Sequence, residues 1–299
     1  MVSYSSRRNL FKAYVTWFLK YLFLLVIVII SLFPLIWVAM SSFKTNNEIL
    51  SNALALPSGI SFEGYKNAFK IIGDLTFEAF GYRITMQKFG IFFLNSLYIS
   101  LGSIVVNVLF VSMSSYIIAR YDFKLKNVIV TMFSMSLLIP ATSMIHSIYI
   151  LVNRIGLNDT RTGLILVYSA LQLPMTLFIM RSYFLGIPTS LEEAAYIDGA
   201  GFLTTFFKII MPIAKPGLAT AAVLQFLTSW NEFLFALTLT TKESVRTLPL
   251  SLNYFLSLFS FNYTSLFAAI TMMILPSIVA YTLLQEQVVS SLTAGSVKG

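Results

Sequence analysis

Six stretches of this chain run for about twenty residues or more with almost no charge, and a water-soluble fold has no surface on which to place them. Residues 21–43 lie between Lys20 and Lys44, residues 89–119 between Lys88 and Arg120, and residues 127–153 between Lys126 and Arg154. Residues 162–180 end at Arg181. A fifth run follows Lys215 and reaches Thr241 with Glu232 as its one charge, and a sixth lies within residues 247–285, from about Asn262 onward. At 1.5 Å of rise per residue, a helix of about 20 apolar residues crosses a bilayer. Composition agrees: 57% of residues are hydrophobic and 11% charged, where soluble domains carry about 25% charged residues. The expected fold is an all-α integral membrane protein with six transmembrane helices.

Charge placement orients it. Arg7, Arg8, Lys12 and Lys20 precede the first run with no acid among them, and residues 120–126 and 181–215 carry three further basic residues each. The positive-inside rule then puts both termini on the cytoplasmic side. The expected organisation is a cytoplasmic segment 1–20, a first transmembrane helix 21–43 and an external loop 44–88. A core of five transmembrane helices, 89–285, contains a cytoplasmic loop 181–216, and a cytoplasmic tail 286–299 closes the chain. The first run is too long for a cleaved signal peptide and lacks a small-residue cleavage site, so it reads as an anchor. The external loop, with Pro57-Ser58-Gly59 and Gly81, reads as irregular apart from one short helix near 62–72.

The net charge of +8 does not argue for nucleic acid, because the basic residues sit in the gaps between apolar runs. No cysteine is present, which excludes disulfides, thiolate metal sites and a cysteine nucleophile. The single histidine, His146, has no carboxylate or histidine partners at metal-binding spacing, so hydrogen bonding or packing is the expectation there. Pro140, Pro174 and Pro276 fall inside spans and permit kinks.

The one elaborated polar segment is the 181–216 loop. Pro188-Thr189-Ser190-Leu191-Glu192-Glu193 reads as a helix start, with Ser190 as N-cap and Glu193 closing a capping box. Ala194 and Ala195 give helix propensity and a slim surface, and Gly199 supplies a stop. A second short helix, 202–211, ends at Pro212. On pattern alone this is equally a plain capped surface helix or a helix that seats in a partner's groove.

Glu193-Ala194-Ala195, Gly199 four residues on, Ile209 ten beyond that, and Met211-Pro212 together resemble the EAA loop of ABC-transporter permease subunits. Only Met211 departs, standing where that pattern has Leu. Asp198-Gly199-Ala200 with Pro216 further resembles the carbohydrate-uptake branch. So do Asn95-Ser96-Leu97, Ala119-Arg120-Tyr121, Trp230-Asn231-Glu232-Phe233 and the tail 292–299, the last like the smaller six-span subunit of maltose-type permeases. The resemblance covers about Ile91 to the end. It implies a type I importer permease in the bacterial cytoplasmic membrane that pairs with a second, non-identical permease chain. It also implies two cytoplasmic ATPase subunits, an extracytoplasmic solute-binding protein and a carbohydrate substrate. Glu193, Ala194, Ala195, Asp198, Gly199, Ala200, Ile209 and Pro212 would form the ATPase-coupling surface. No phosphate-binding Gly-x-x-x-x-Gly-Lys-[Ser/Thr] sequence occurs in the chain, so ATP would be held by the partner, and no catalytic residue is expected.

Trp230, Asn231 and Glu232 are candidates for the translocation path. An indole offers a stacking face for sugars, and a charge within a span marks a functional position by default. The competing reading is that Glu232 reaches interfacial water or a neighbouring helix. An ion-driven secondary transporter predicts intramembrane acid–base pairs and an inverted repeat, and neither is evident. An intramembrane hydrolase needs a nucleophile–base or metal set inside the spans, and none is visible. Within the importer reading, a non-carbohydrate solute is the alternative cargo.

Overall fold

The computed structural model describes residues 4–79, 82–255 and 262–294. Its elements are α1 (Tyr4–Ser41), α2 (Asn46–Ser51), α3 (Glu63–Ile72), strands β1 (Asp74–Ala79) and β2 (Tyr82–Gln87), α4 (Lys88–Arg120), α5 (Lys126–Ser136), α6 (Ile145–Arg154) and α7 (Arg161–Gly186). Then follow α8 (Ser190–Ile197), α9 (Phe202–Thr204), α10 (Met211–Ile213), α11 (Lys215–Trp230), α12 (Leu234–Leu239) and α13 (Tyr263–Ala294). Four of these helices are long and apolar enough to cross a membrane, or up to six spans result if each of two bent pairs counts as one. The chain is a multi-pass helical membrane protein. Gly81 and the last five residues of the tail, 295–299, lie outside the described residues.

The chain divides into two compact units. One comprises Met1–Ile71 and Phe255–Met272. In it, the apolar stretch Ala13–Ser41 of α1 buries none of its most apolar window within the chain, as expected of a helix solvated by lipid. Its end is pinned by polar contacts: Lys44 Nζ and Trp37 Nε1 both donate to the Ala53 carbonyl, each at 2.8 Å. Thr45 caps α2 in a capping box with Glu48. Glu48 also accepts from the Ser58 hydroxyl and amide, which with the Thr45 amide hold its carboxyl down to about 2. Where α3 meets α13, Gly64 admits Thr264 so closely that a Cβ would lie 2.6 Å from its Cγ2. The segment expected to be irregular is therefore ordered. The expected helix at 62–72 is α3.

The second unit comprises Ile72–Tyr254 and Met273–Gly299. It opens with the antiparallel hairpin β1–β2, with Asp74 opposite Gln87, a feature without a sequence expectation. Its centre is α4 packed along α7 and α11. Ser96, Ser100, Ser103 and Asn107 of α4 are all buried. Small polar residues let helix backbones approach closely in lipid, where packing and hydrogen bonds replace the hydrophobic drive. Accordingly Asn107 donates to the Ser169 carbonyl at 3.0 Å, Ser169 to the Ser103 carbonyl at 3.2 Å, and Gly102 meets Ile165.

Two runs expected to be single helices are broken. In the third, α5 and the helical stretch from Ala141 to Arg154 meet at 99°. Pro140 stands at the break, where it cannot donate an amide hydrogen bond. In the fifth, α11 stops at Trp230 and α12 begins at Leu234. The physical reason lies in Glu232, described below. At the start of α7, a Cβ on Gly163 would lie 2.3 Å from the Leu157 carbonyl oxygen, a backbone atom with little room to yield. Gly163→Ala is expected to destabilise the protein by about 2 kcal/mol through this overpacking, read as a lowered thermal unfolding midpoint in detergent. An unchanged midpoint would show that the turn at 157–160 relaxes freely.

Candidate functional site: the helical connection between α7 and α11

The connection starts where Pro188 forces the residue before it out of the helical region. Ile187 is extended, with φ −78° and ψ 129°, and α7 ends there. The sequence expectation of a capping box from Ser190 to Glu193 is not met. Thr189 is the N-cap residue, it is already helical, and no side chain caps the helix. Instead the amides of Glu192 and Glu193 both donate to the Thr189 carbonyl, at 2.9 and 3.1 Å. The box does form at Thr45–Glu48, where the N-cap residue is extended with φ −79° and ψ 160°, whereas Thr189 has φ −67° and ψ −25°.

Glu193 is exposed, as are Ala194, Asp198 and Gly199, while Ala195 is buried and Ala200 half-buried. Gly199 stops α8 as expected. Its φ of +80° is the left-handed conformation that glycine adopts without strain. Its amide donates to the Tyr196 carbonyl at 3.0 Å and that of Ala200 to Ala195 at 2.9 Å, the paired bonds of a Schellman motif. The second helix does not end at Pro212. It runs from Phe202 through Ile213 by way of π turns at Thr205–Ile210. Pro212 lacks the amide that an α-helix needs, and the backbone widens just before it. Ile209 is half-buried and Pro212 exposed.

The neighbouring acid, Glu192, behaves differently. It is buried, and Arg120 Nε at the end of α4 donates to its Oε1 at 2.6 Å. Tyr116, one turn earlier on the same face of α4, donates to Oε2 at 3.1 Å. Arg120 also donates from its second nitrogen to the Ile187 carbonyl at 2.7 Å. A cation at this helix end complements the dipole of α4. The Tyr116 ring packs on Phe206, Phe184 and Phe202 at centroid distances of 4.9, 5.5 and 5.9 Å. One buried cluster thus joins α4, the end of α7 and both halves of the connection. Outside the spans, Tyr196 shares a hydrogen bond with Tyr121, the main cause that pushes its hydroxyl up to about 12.

The residues singled out around Trp230 have distinct situations. Trp230 is fully buried, edge-on to Phe93 and stacked with Phe226, each at 5.5 Å, and donates Nε1–H to the Met273 carbonyl at 3.0 Å. Glu232 accepts from the Phe235 amide at 2.8 Å and the Ala236 amide at 2.9 Å, satisfying two of the orphan donors at the start of α12. Its Oε2 also accepts from the Tyr168 hydroxyl at 2.7 Å. This capping is why the fifth run breaks. Asn231 alone of the three is exposed.

A second polar cluster occupies the other end of α4. Arg161 donates to Asn95 Oδ1 at 2.8 Å, and Asn95 donates to the carbonyls of Ser244 and Arg246 at 2.9 and 3.0 Å. Glu243 accepts from the Tyr254 hydroxyl at 2.6 Å and pairs with Lys88 at 2.9 Å, and these hold its carboxyl below the usual range. Asp159, with φ of +55°, accepts from the Thr241 hydroxyl at 2.6 Å and the Lys242 amide at 2.9 Å. None of these pairings, nor that of Glu192, was foreseen. The hint for Arg120 was its place in the Ala119-Arg120-Tyr121 segment. Among the described residues no three of His, Cys, Asp and Glu are grouped to hold a metal ion, and His146 lies exposed on α6.

Fold and site together describe a multi-pass helical membrane protein whose polar helical connection is anchored to the bundle by a buried ion pair. Residues 111–293 match the model of the binding-protein-dependent transport system inner membrane component family, and the chain belongs to that family. Its members are permease subunits of transporters, not enzymes. The diacetylchitobiose uptake system permease protein NgcG of Streptomyces coelicolor is 32% identical over 90% of this chain and 84% of its own length. The trehalose transport system permease protein SugB of Mycobacterium tuberculosis is 32% identical over 90% and 93%. The arabinooligosaccharides transport system permease protein AraQ of Halalkalibacterium halodurans is 33% identical over 91% and 93%. The fold matches a chain in the crystal structure of a bacterial ABC transporter that imports alginate, with a TM-score of 0.76 at 21% identity over 96% of this chain and 98% of that one.

Proposed function

We propose that this chain is one of two non-identical permease subunits of an ABC importer for carbohydrate, in the bacterial cytoplasmic membrane, with six spans and both termini inside. The observation that carries the reading is α8. It is a short helix held between α7 and α11 that turns Glu193 and Ala194 outward, while Glu192 and Ala195 face the bundle. Of the two cytoplasmic ATPase subunits, one would engage α8 of this chain through Glu193, Ala194, Asp198 and Gly199. Ile209 and Pro212 would support them from the second half of the connection. The organisation given above, from the segment 1–20 to the tail 286–299, is part of this proposal; among the helices, α1 begins at Tyr4, α7 continues to Gly186 and α13 to Ala294. The tail 286–299 is proposed to lie on the same side.

The substrate class rests on the kinship with permeases named for diacetylchitobiose, trehalose and arabinooligosaccharides. Within the chain, Asn231 is the candidate for contact with a sugar hydroxyl, because it is exposed beside the break in the fifth run. Trp230 and Glu232 would shape that break from behind. Coupling requires that the loaded binding protein and the ATP-closed ATPase pair favour the same conformation, since a ligand shifts an equilibrium only by its differential affinity.

The test is uptake by proteoliposomes that contain the chain with its partner permease and ATPases. They are loaded with ATP and given the binding protein with radiolabelled diacetylchitobiose, trehalose or arabinooligosaccharide outside. ATP-dependent accumulation of one of these is expected. Accumulation by the chain alone under a proton or sodium gradient would overturn the importer reading. ATP-dependent uptake of an amino acid or polyamine in place of any saccharide would overturn the cargo.

A further inference from the structure

The acid beside the proposed docking residue is spent inside the chain, and what holds it is far away in sequence. Glu192 and Arg120 are 72 residues apart, yet their side chains are only 9% and 7% exposed and meet at 2.6 Å. A carboxylate and a guanidinium buried together are held in register by their mutual need, because either one alone would be left desolvated. Arg120 does more than neutralise. Through the Ile187 carbonyl it grips the point where α7 gives way to α8, and through Glu192 it grips α8 itself. Tyr116 closes the triangle by donating to the second oxygen of Glu192.

Chain connectivity alone would pass a push on α8 to its sequence neighbours, α7 on one side and the π-turned segment leading to α11 on the other. The latter contains π turns and is joined to α8 by Gly199 in its left-handed conformation, so it is a poor rigid lever. We propose that Arg120 and Glu192 are positioning residues that form a strut, making α8 move as one body with the end of α4. The inference rests on the reading of α8 as the helix that ATPase subunits move. It adds a through-space route: displacement applied at Glu193 reaches α4 directly. Because α4 packs along both α7 and α11, the whole three-helix core follows. The adjacent acids divide the labour, Glu193 outward to receive the push and Glu192 inward to deliver it.

This chain has no cysteine of its own to compete for label, so it is labelled before assembly with its partners. Cysteines introduced at the exposed positions Lys124, just past α4, and Ser190, at the start of α8, carry a spin-label pair across the strut. Distances are measured in the assembled complex of permease pair and ATPases, first without nucleotide and then trapped with ATP and vanadate. The wild-type pair is expected to keep one distance in both states. In Glu192→Gln the trapped state should broaden or split. The reversed pair Arg120→Glu with Glu192→Arg should restore a single distance, which a merely structural loss would not do. A wild-type shift of about 5 Å, one helical turn, would overturn the strut, as would a Glu192→Gln variant that keeps the wild-type distance in both states. The wild-type measurement decides even if the variants fail to assemble. If wild-type permease does not assemble with ATPases at all, the docking reading falls first and takes the strut with it.

Discussion

Replacing Glu193 with lysine is expected to release the ATPase subunits from the membrane complex while the chain still inserts and folds. Within the chain the substitution is cheap. Glu193 is exposed on α8, caps nothing with its side chain, and loses only a favourable position near the positive end of a short helix, worth about 0.3–1 kcal/mol. At the proposed docking surface Glu193 would pair with a basic residue of the ATPase, so the same change removes one half of that pair and sets a cation against a cation. Truncating a desolvated interfacial pair costs about 2–5 kcal/mol, and 3 kcal/mol corresponds to roughly a hundredfold weaker Kd. The check is co-purification of ATPase with tagged permease in detergent, with thermal unfolding of the permease measured alongside. Retention of ATPase at wild-type stoichiometry would remove Glu193 from the interface. A matching loss of thermal stability would instead mean that α8 itself had been disrupted.

The second large effect is expected at Glu232, and it should appear in stability rather than only in uptake. Its carboxylate serves three donors: the Phe235 and Ala236 amides at the head of α12 and the Tyr168 hydroxyl. Tyr168 is only 2% exposed, so without Glu232 its hydroxyl has no water to turn to. Loss of an N-terminal cap costs about 1 kcal/mol, and an orphaned buried donor costs about 1–3 kcal/mol. Glu232→Ala should therefore lower stability by about 3 kcal/mol, read by thermal or denaturant unfolding in detergent. Glu232→Gln retains one acceptor oxygen and should lose less. If Glu232 acted on substrate alone, the alanine variant would melt like the wild type and fail only in uptake. That outcome would return the carboxylate to the translocation path and leave the break after Trp230 without its physical cause.

These two glutamates show why the candidate sites were only partly legible. The stop at Gly199, the helix over Glu193 and Ala195, and the short helix near Glu63–Ile72 follow from local rules, because conformational freedom and helix propensity belong to single residues and near neighbours. The capping box at Ser190 was a local inference that failed. Thr189 is already helical, and the neighbouring Glu192 is drawn to a partner 72 positions away. Adjacent acids on a helix point about 100° apart at 3.6 residues per turn, so the two can have different surroundings, and here Glu192 is buried while Glu193 is exposed. Nothing local says which of the two is buried.

The same division runs through the bundle. The long uncharged runs by themselves determined that this chain lies in a membrane as helices, since only an internally hydrogen-bonded backbone is tolerated in hydrocarbon. Their endpoints for α4 fall within a residue of Lys88 and Arg120. Local chemistry also determined the stop at Gly199 and the break at Pro140. Only the tertiary structure decided that Glu232 also takes the Tyr168 hydroxyl, that Trp230 packs edge-on to Phe93, and that Arg120 clasps the connection. Each of those outcomes depends on a hydrogen bond or a ring contact between residues dozens of positions apart. A buried polar group must find its partner wherever the fold brings one, and that meeting is set by packing, not by neighbours in the chain.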